Sequence, residues 1–371
     1  VVCGELSEDD CALLEESALA MQDLSSFSMA IDLDMSVGGI PDLPADPMNM
    51  GMMLDGSFSL DESAQAVVQQ MNQALLSGNA EDLEALAADM QQMTLDLYGG
   101  MNFDMTVRYD VPAELAEVFS ADPDMVMPES IGFELRMIDG TMYMNLSELR
   151  ALDPAIEEEL TSDWIGIDYI GMLEMQMDAA GDMGDDPFAG GAMSGLAAVQ
   201  FMQQVNDFVS VERLDDVALD GQDGAQFAYS FDVVGFLTSD AFKSYMQTLV
   251  AAMGEDVDAQ EMEQAIAMID FVAPMVFRDL QIDSTYVVGL DDKLAYAATG
   301  DFSWDLSSVM QFAAMTDPSL AEAMGDAQPM IDMQFEIEYS DQNAEMDITV
   351  PDDVQMIPLE QLMPQDTSAV F

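Results

Sequence analysis

Histidine is absent and basic residues nearly so: 7 Lys plus Arg stand against 73 Asp plus Glu, a formal charge of −66 over 371 residues. The first lack removes histidine general bases, Ser-His-Asp and Cys-His catalysis, and the commonest zinc and haem ligands. The second removes any basic surface for nucleic acid. No run of about 18 uninterrupted apolar residues occurs, so no transmembrane helix is expected. Phosphate-cradling glycine loops and a nucleophile elbow are missing too. Only Trp164 and Trp304 could offer an indole platform to a sugar, and carboxylates are so frequent that no pair singles itself out for glycoside hydrolysis. The chain is therefore expected not to be an enzyme.

What is present is a substantial apolar half. Hydrophobic residues make up 50% of the chain and mean hydropathy is +0.10, which separates it from acidic disordered tails and predicts a packed core. The length allows two domains or one large β unit. Charge is unevenly spread, because the first basic residue is Arg108 and 20 carboxylates precede it. With a screening length of about 8 Å at physiological salt, such a surface repels itself. A saline or cation-rich extracytoplasmic setting (envelope, cell surface or secreted) is the expected remedy, and a solvated acidic exterior the plainer account of the charge. The chain opens on Val1 rather than Met, as a processed or trimmed form would.

Cys3 and Cys11 are the only cysteines, eight positions apart. In an exported protein they are expected to close a small disulfide loop. A lipid-modified Cys3 is the alternative, although Val1 and Val2 precede it, and two unlinked thiols a third.

The pattern along the chain predicts a short amphipathic helix over about 10–24, capped from Ser7 to Asp10, then a half-buried strand over 28–37 in which Met29, Ile31, Leu33, Met35 and Val37 alternate with Asp32 and Asp34. Further strands are expected near 52–60 and 101–109, with helices at 61–77 and 80–93 between them. Asp139-Gly140 between two alternating runs predicts a hairpin of 133–138 with 141–146. A short segment ending in 164–169 follows, and the Met/Gly/Asp-rich stretch 171–195 reads as a long loop, either linker or lid. Beyond it come a helix at 196–208, strands near 209–219 and 225–233, helices at 239–253 and 258–273, and the strand pairs 279–290 with 293–305 and 331–340 with 344–350. Five segments result: residues 1–27, 28–170, 171–195, 196–358 and a 359–371 tail. The similar order of elements in 28–170 and 196–358 suits either an internal duplication or one interrupted meander.

Four places in this order resemble the LolA/LppX-like superfamily of bacterial envelope lipoproteins. They are the N-terminal cysteine with the helix Ala12–Ala18 and first strand, the 137–146 hairpin followed by Asp163-Trp164-Ile-Gly-Ile-Asp168, the stretch 217–229, and Met346-Asp-Ile-Thr-Val-Pro-Asp-Asp353. The resemblance implies an α+β fold in which a strongly curved antiparallel β-sheet, a half-barrel, wraps around several helices. It also implies non-catalytic binding of a lipid or other hydrophobic ligand between sheet and helices.

The 36 methionines suit an adaptable apolar surface. Strand alternation nominates Met29, Met35, Met101, Phe103, Met105, Met142 and Met144 as ligand-lining, though methionine substituting for leucine in the core would leave the same pattern. For Ca²⁺, which takes six to eight oxygens, the candidates are Asp182, Asp185 and Asp186 in the Gly-rich stretch and Asp220 with Asp223 in a turn, none at EF-hand spacing. The leading expectation is an exported lipid-binding protein. The alternative is a surface protein that self-assembles as a homo-oligomer, lattice or filament, with cations bridging acidic faces.

Overall fold

Alternation writes the sheet. In the computed structural model, which describes residues 2–39, 47–77, 80–112, 128–152, 161–183, 205–219, 221–252, 259–316 and 328–359, thirteen strands form one sheet. They are β1 (Ser26–Gly38), β2 (Met48–Leu60), β3 (Met101–Asp110), β4 (Ser130–Ile138), β5 (Thr141–Asn145), β6 (Trp164–Asp168), β7 (Val209–Arg213), β8 (Val217–Leu219), β9 (Gln222–Phe231), β10 (Leu280–Gly289), β11 (Ala295–Asp305), β12 (Met330–Ser340) and β13 (Val354–Met356). The helices are α1 (Glu8–Gln22), α2 (Glu62–Ser77), α3 (Ala80–Gly100), α4 (Ser147–Leu152), α5 (Tyr169–Met183), α6 (Val233–Leu237), α7 (Asp240–Ala252), α8 (Ala259–Val276) and α9 (Ser307–Thr316).

An acidic chain supplies its own helix starts, because Asp and Ser oxygens accept the first free amides. Asp61 Oδ1 accepts from the Ser63 and Ala64 amides ahead of α2, both at 2.9 Å, and Asp168 from Gly171 at 2.9 Å ahead of α5. Asp232 caps α6 through the Gly235 amide, and Ser7 caps α1 through Asp10. The Asp139-Gly140 turn has both residues at positive φ, 48° and 75°, as a two-residue hairpin joining β4 and β5 requires.

The strand order is β13-β6-β5-β4-β3-β2-β1-β12-β11-β10-β9-β7, with β8 on β9. The strongly curved half-barrel expected from the resemblance does not form: the sheet is open, neither closed nor strongly curled. A pair between β6 and β7 would complete the cycle. Instead β13 occupies the edge of β6, in parallel, with Val354 opposite Trp164 and Met356 opposite Gly166. Without a continuous ladder, nothing imposes the tilt and stagger of a barrel. Nor is the sheet purely antiparallel.

Several local expectations also change. Residues 344–350 form no strand, because β12 already has β11 on one edge and β1 on the other. The chain turns away there, with Asn343 at φ 58° and its side-chain oxygen accepting from the Ser25 amide at 2.9 Å. The first part of the 171–195 stretch is the helix α5, where Met, Leu and Ala are good helix formers once Asp168 has capped the start. Helix α9 and the last turns of α3 went unforeseen, whereas the 196–208 helix is described only as a single 3-10 turn, Asn206–Phe208. The remainder of both stretches lies outside the described residues.

Two compact units divide the chain. The first comprises 1–21, 32–51 and 187–338, and its core joins α1 to the sheet: Leu14, Val211, Ala225, Phe227 and Val288 are buried together. The second comprises 22–31, 52–186 and 339–371, and its buried cluster is Val67, Ala74, Leu86 and Met93, with Leu97 against it, all from α2 and α3.

Candidate functional site

In the second unit the ladder registers sort side chains by face. Phe58 lies opposite Phe103, Phe103 opposite Met137, Met137 opposite Met142, and Met142 opposite Ile167. Directly opposed residues share a face. One step along the strands a second row runs Gly56, Met105, Leu135, Met144, Ile165, and beyond it lie Leu54, Val107 and Phe133. This face of β2–β6 carries no charged side chain. The reverse face carries Asp55, Asp104, Thr106, Arg108, Glu134, Arg136 and Asn145, among them the Arg136–Asp104 ion pair at 3.1 Å.

β1 extends the apolar face. Phe27 stacks on Phe58 with ring centroids 5.0 Å apart, Phe58 meets Phe103 at 5.9 Å, and Tyr339 meets Phe27 at 6.2 Å. Burial pushes the Tyr339 phenol above its ordinary pKa, as expected beside such a row. By strand period Met29 and Met35 fall on the Phe27 side of β1, while Asp32 and Asp34 are exposed on the other.

All seven side chains nominated as ligand-lining therefore take the apolar parity of their strands, and each is half-buried. Val107, Met137, Ile165 and Ile167 on the same face are buried. Among the described residues, the buried α2–α3 cluster includes no strand residue. Near the sheet, Tyr98 of α3 and Tyr169 of α5 meet edge to face at 5.1 Å. The aromatic row on Phe27 and Phe58 was legible only in part, because alternation gives the parity of each strand while the register between strands decides which rings meet.

A polar cavity of about 640 Å³ opens elsewhere in this unit, where β13 meets β6, bordered by Arg150, Thr161, Asp163, Trp164, Asp353 and Gln355. Its groups largely satisfy one another: Arg150 Nη1 lies 2.5 Å from Asp163 Oδ1, and Gln355 Oε1 accepts from both the amide and the hydroxyl of Thr161. The guanidinium of Arg136 stands 5.0 Å over the Trp164 ring. None of the nominated lining residues borders it.

Cys3 and Cys11 are joined by a disulfide, with Cα atoms 5.2 Å apart. Ligand atoms of Cys3, Cys11 and Glu15 lie within 4.8 Å of one another, a spacing that in principle suits a metal ion, but the bridged sulfurs offer no thiolate. Of the calcium candidates, Asp185, Asp186 and Asp220 lie outside the described residues. Asp182 is in the last turn of α5, and Asp223 is an exposed residue of β9 whose carbonyl accepts from the Leu290 amide. The side chain of Asp182 lies outside what the structure describes, and Asp223 joins no cluster of potential metal ligands among the described residues.

Among the described residues no helix is long and apolar enough to cross a membrane. No protein-family model matches the chain, and no curated protein matches it. Solved structures do. The lipoprotein LppX of Mycobacterium tuberculosis is 11% identical, with 92% of this chain and 100% of that one covered at a TM-score of 0.30. LprF of Mycobacterium bovis is 10% identical, with 93% and 98% covered at 0.32. A DUF1329 family protein of Desulfovibrio piger is 7% identical, with 91% and 94% covered at 0.21. All three likenesses combine high coverage with low identity and a low TM-score.

Proposed function

We propose that this is a non-enzymatic binding protein, working outside the cytoplasm, that holds a lipid or other hydrophobic molecule on the apolar face of β3–β6 and the adjoining residues 26–31 of β1 and 52–60 of β2. The observation that carries this reading is the half-burial of Phe27, Phe58, Phe103, Met105, Met142 and Met144 on a sheet face that bears no charged side chain. A hydrocarbon chain laid along these rows would remove apolar surface from water on both partners, at about 0.8 kcal/mol per buried CH₂. Methionine, unbranched and polarizable, adapts to chains of differing shape. The disulfide supports an oxidising compartment. No catalytic motif competes with this reading.

Native mass spectrometry of protein taken from its own envelope or medium tests it. The expected spectrum is a subunit with a removable lipid-sized adduct, lost when Phe103→Asp places a charge in the row. A ligand-free subunit that also fails to take up long-chain probes sinks the reading.

A further inference from the structure

We infer that the apolar face accepts uncharged lipids and discriminates against anionic ones; this rests on the reading that the face binds a lipid-like ligand at all. All seven basic residues of the chain fall among the described residues, so the positive charge of its side chains can be placed completely. Arg108 and Arg136 project from the reverse face, opposite Met53 and Asp104 respectively. Arg150 is held by Asp163. Arg213, Lys243, Arg278 and Lys293 belong to the other compact unit. There Arg213 pairs with Asp10 and Asp216, Lys243 with Asp270, Arg278 with Asp279, and Lys293 donates to the Leu290 carbonyl.

No Lys or Arg of this unit thus projects from the face, and the helices of the same unit carry acids without bases along α2, α3 and α5. A phosphate or carboxylate headgroup drawn toward the rows would shed water with no cation in exchange. Left at the rim instead, it would sit in the field of a chain with net charge −66, screened only beyond about 8 Å at physiological salt. An ester or hydroxyl headgroup meets neither penalty.

The test is a pair of fluorescent probes with identical acyl chains, a diacylglycerol and a phosphatidylglycerol, titrated into the full chain at about 0.15 M NaCl. Diacylglycerol should bind at least about tenfold more tightly. Met105→Lys or Met144→Lys, which places a cation on the face, should close most of that gap. Thr106→Lys, the adjacent position on the reverse face, should leave it open. Equal or tighter binding of phosphatidylglycerol by the unmodified chain overturns the discrimination while leaving the binding reading intact. Binding of neither probe overturns that reading, and this inference with it.

Discussion

Single carboxylates here are tuned by what they cap. The amide of Ala64, then the hydroxyl of Ser63, hold the Asp61 carboxyl below its usual range. Because the folded value is depressed, its stabilisation is present above the unfolded carboxylate pKa and is lost as pH falls through the lowered value. Asp61→Ala should cost about 1 kcal/mol near neutrality, and the deficit in urea midpoint should vanish in acid. Tyr229 is the opposite case: burial, then Tyr286, push it up to about 12. Its contribution is full below pH 10 and lost as pH rises toward 12, so Tyr229→Phe should flatten the alkaline limb of a pH–stability profile. Gly140 sits at φ 75°, and an added Cβ would stand 2.4 Å from Ile170 Cγ1. Gly140→Ala should therefore cost roughly 1–3 kcal/mol, seen as a lower midpoint at unchanged slope. The Asp139-Gly140 turn could be read directly from two letters. The clash with Ile170 could not, because it arises only where α5 begins.

Strands were the most legible elements, since apolar and acidic residues alternate with period two and the period alone assigns a face. Which residues oppose each other was hidden. In the ladder Asp283 stands directly opposite Asp301, both exposed, and like charges in that relation are destabilising. Asp301→Lys should raise the melting temperature by relieving the pair, with a gain of a few tenths to about 1 kcal/mol, and Asp283→Lys in the same background should return most of it. The misread elements have separate physical causes. The 344–350 segment has strand chemistry but no free edge to join, while the methionine-rich stretch after Asp168 looks unstructured by composition yet contains α5, whose N-terminus Asp168 caps.

At the scale of the molecule the charge is the dominant fact. Surface ion pairs such as Arg278–Asp279 are worth little each, whereas repulsion among uncompensated carboxylates is collective. Raising NaCl from about 0.01 to about 1 M shortens the screening length from roughly 30 to roughly 3 Å. The melting temperature should rise across that range. A fall would mean that the eight ion-paired contacts among the described residues outweigh the repulsion. The two ends of the sheet are short, three residues in β13 and five in β7, which limits the unpaired backbone offered to another strand.

By itself the sequence determined the alternation, and with it one apolar and one polar parity for strands such as β1 and β3, the cap that starts α1, the β4–β5 turn, and the exclusion of histidine chemistry and basic surfaces. These follow from local sterics, hydrogen-bonding capacity and counts of charge, none of which requires knowing what lies far along the chain. Only the tertiary structure decided that β1 would sit beside β12, that β13 would close the edge of β6 and leave the sheet open, and that Phe27, Phe58 and Phe103 would form one row. Those outcomes depend on which edges are already taken when distant segments meet, and strand period carries no record of its partners.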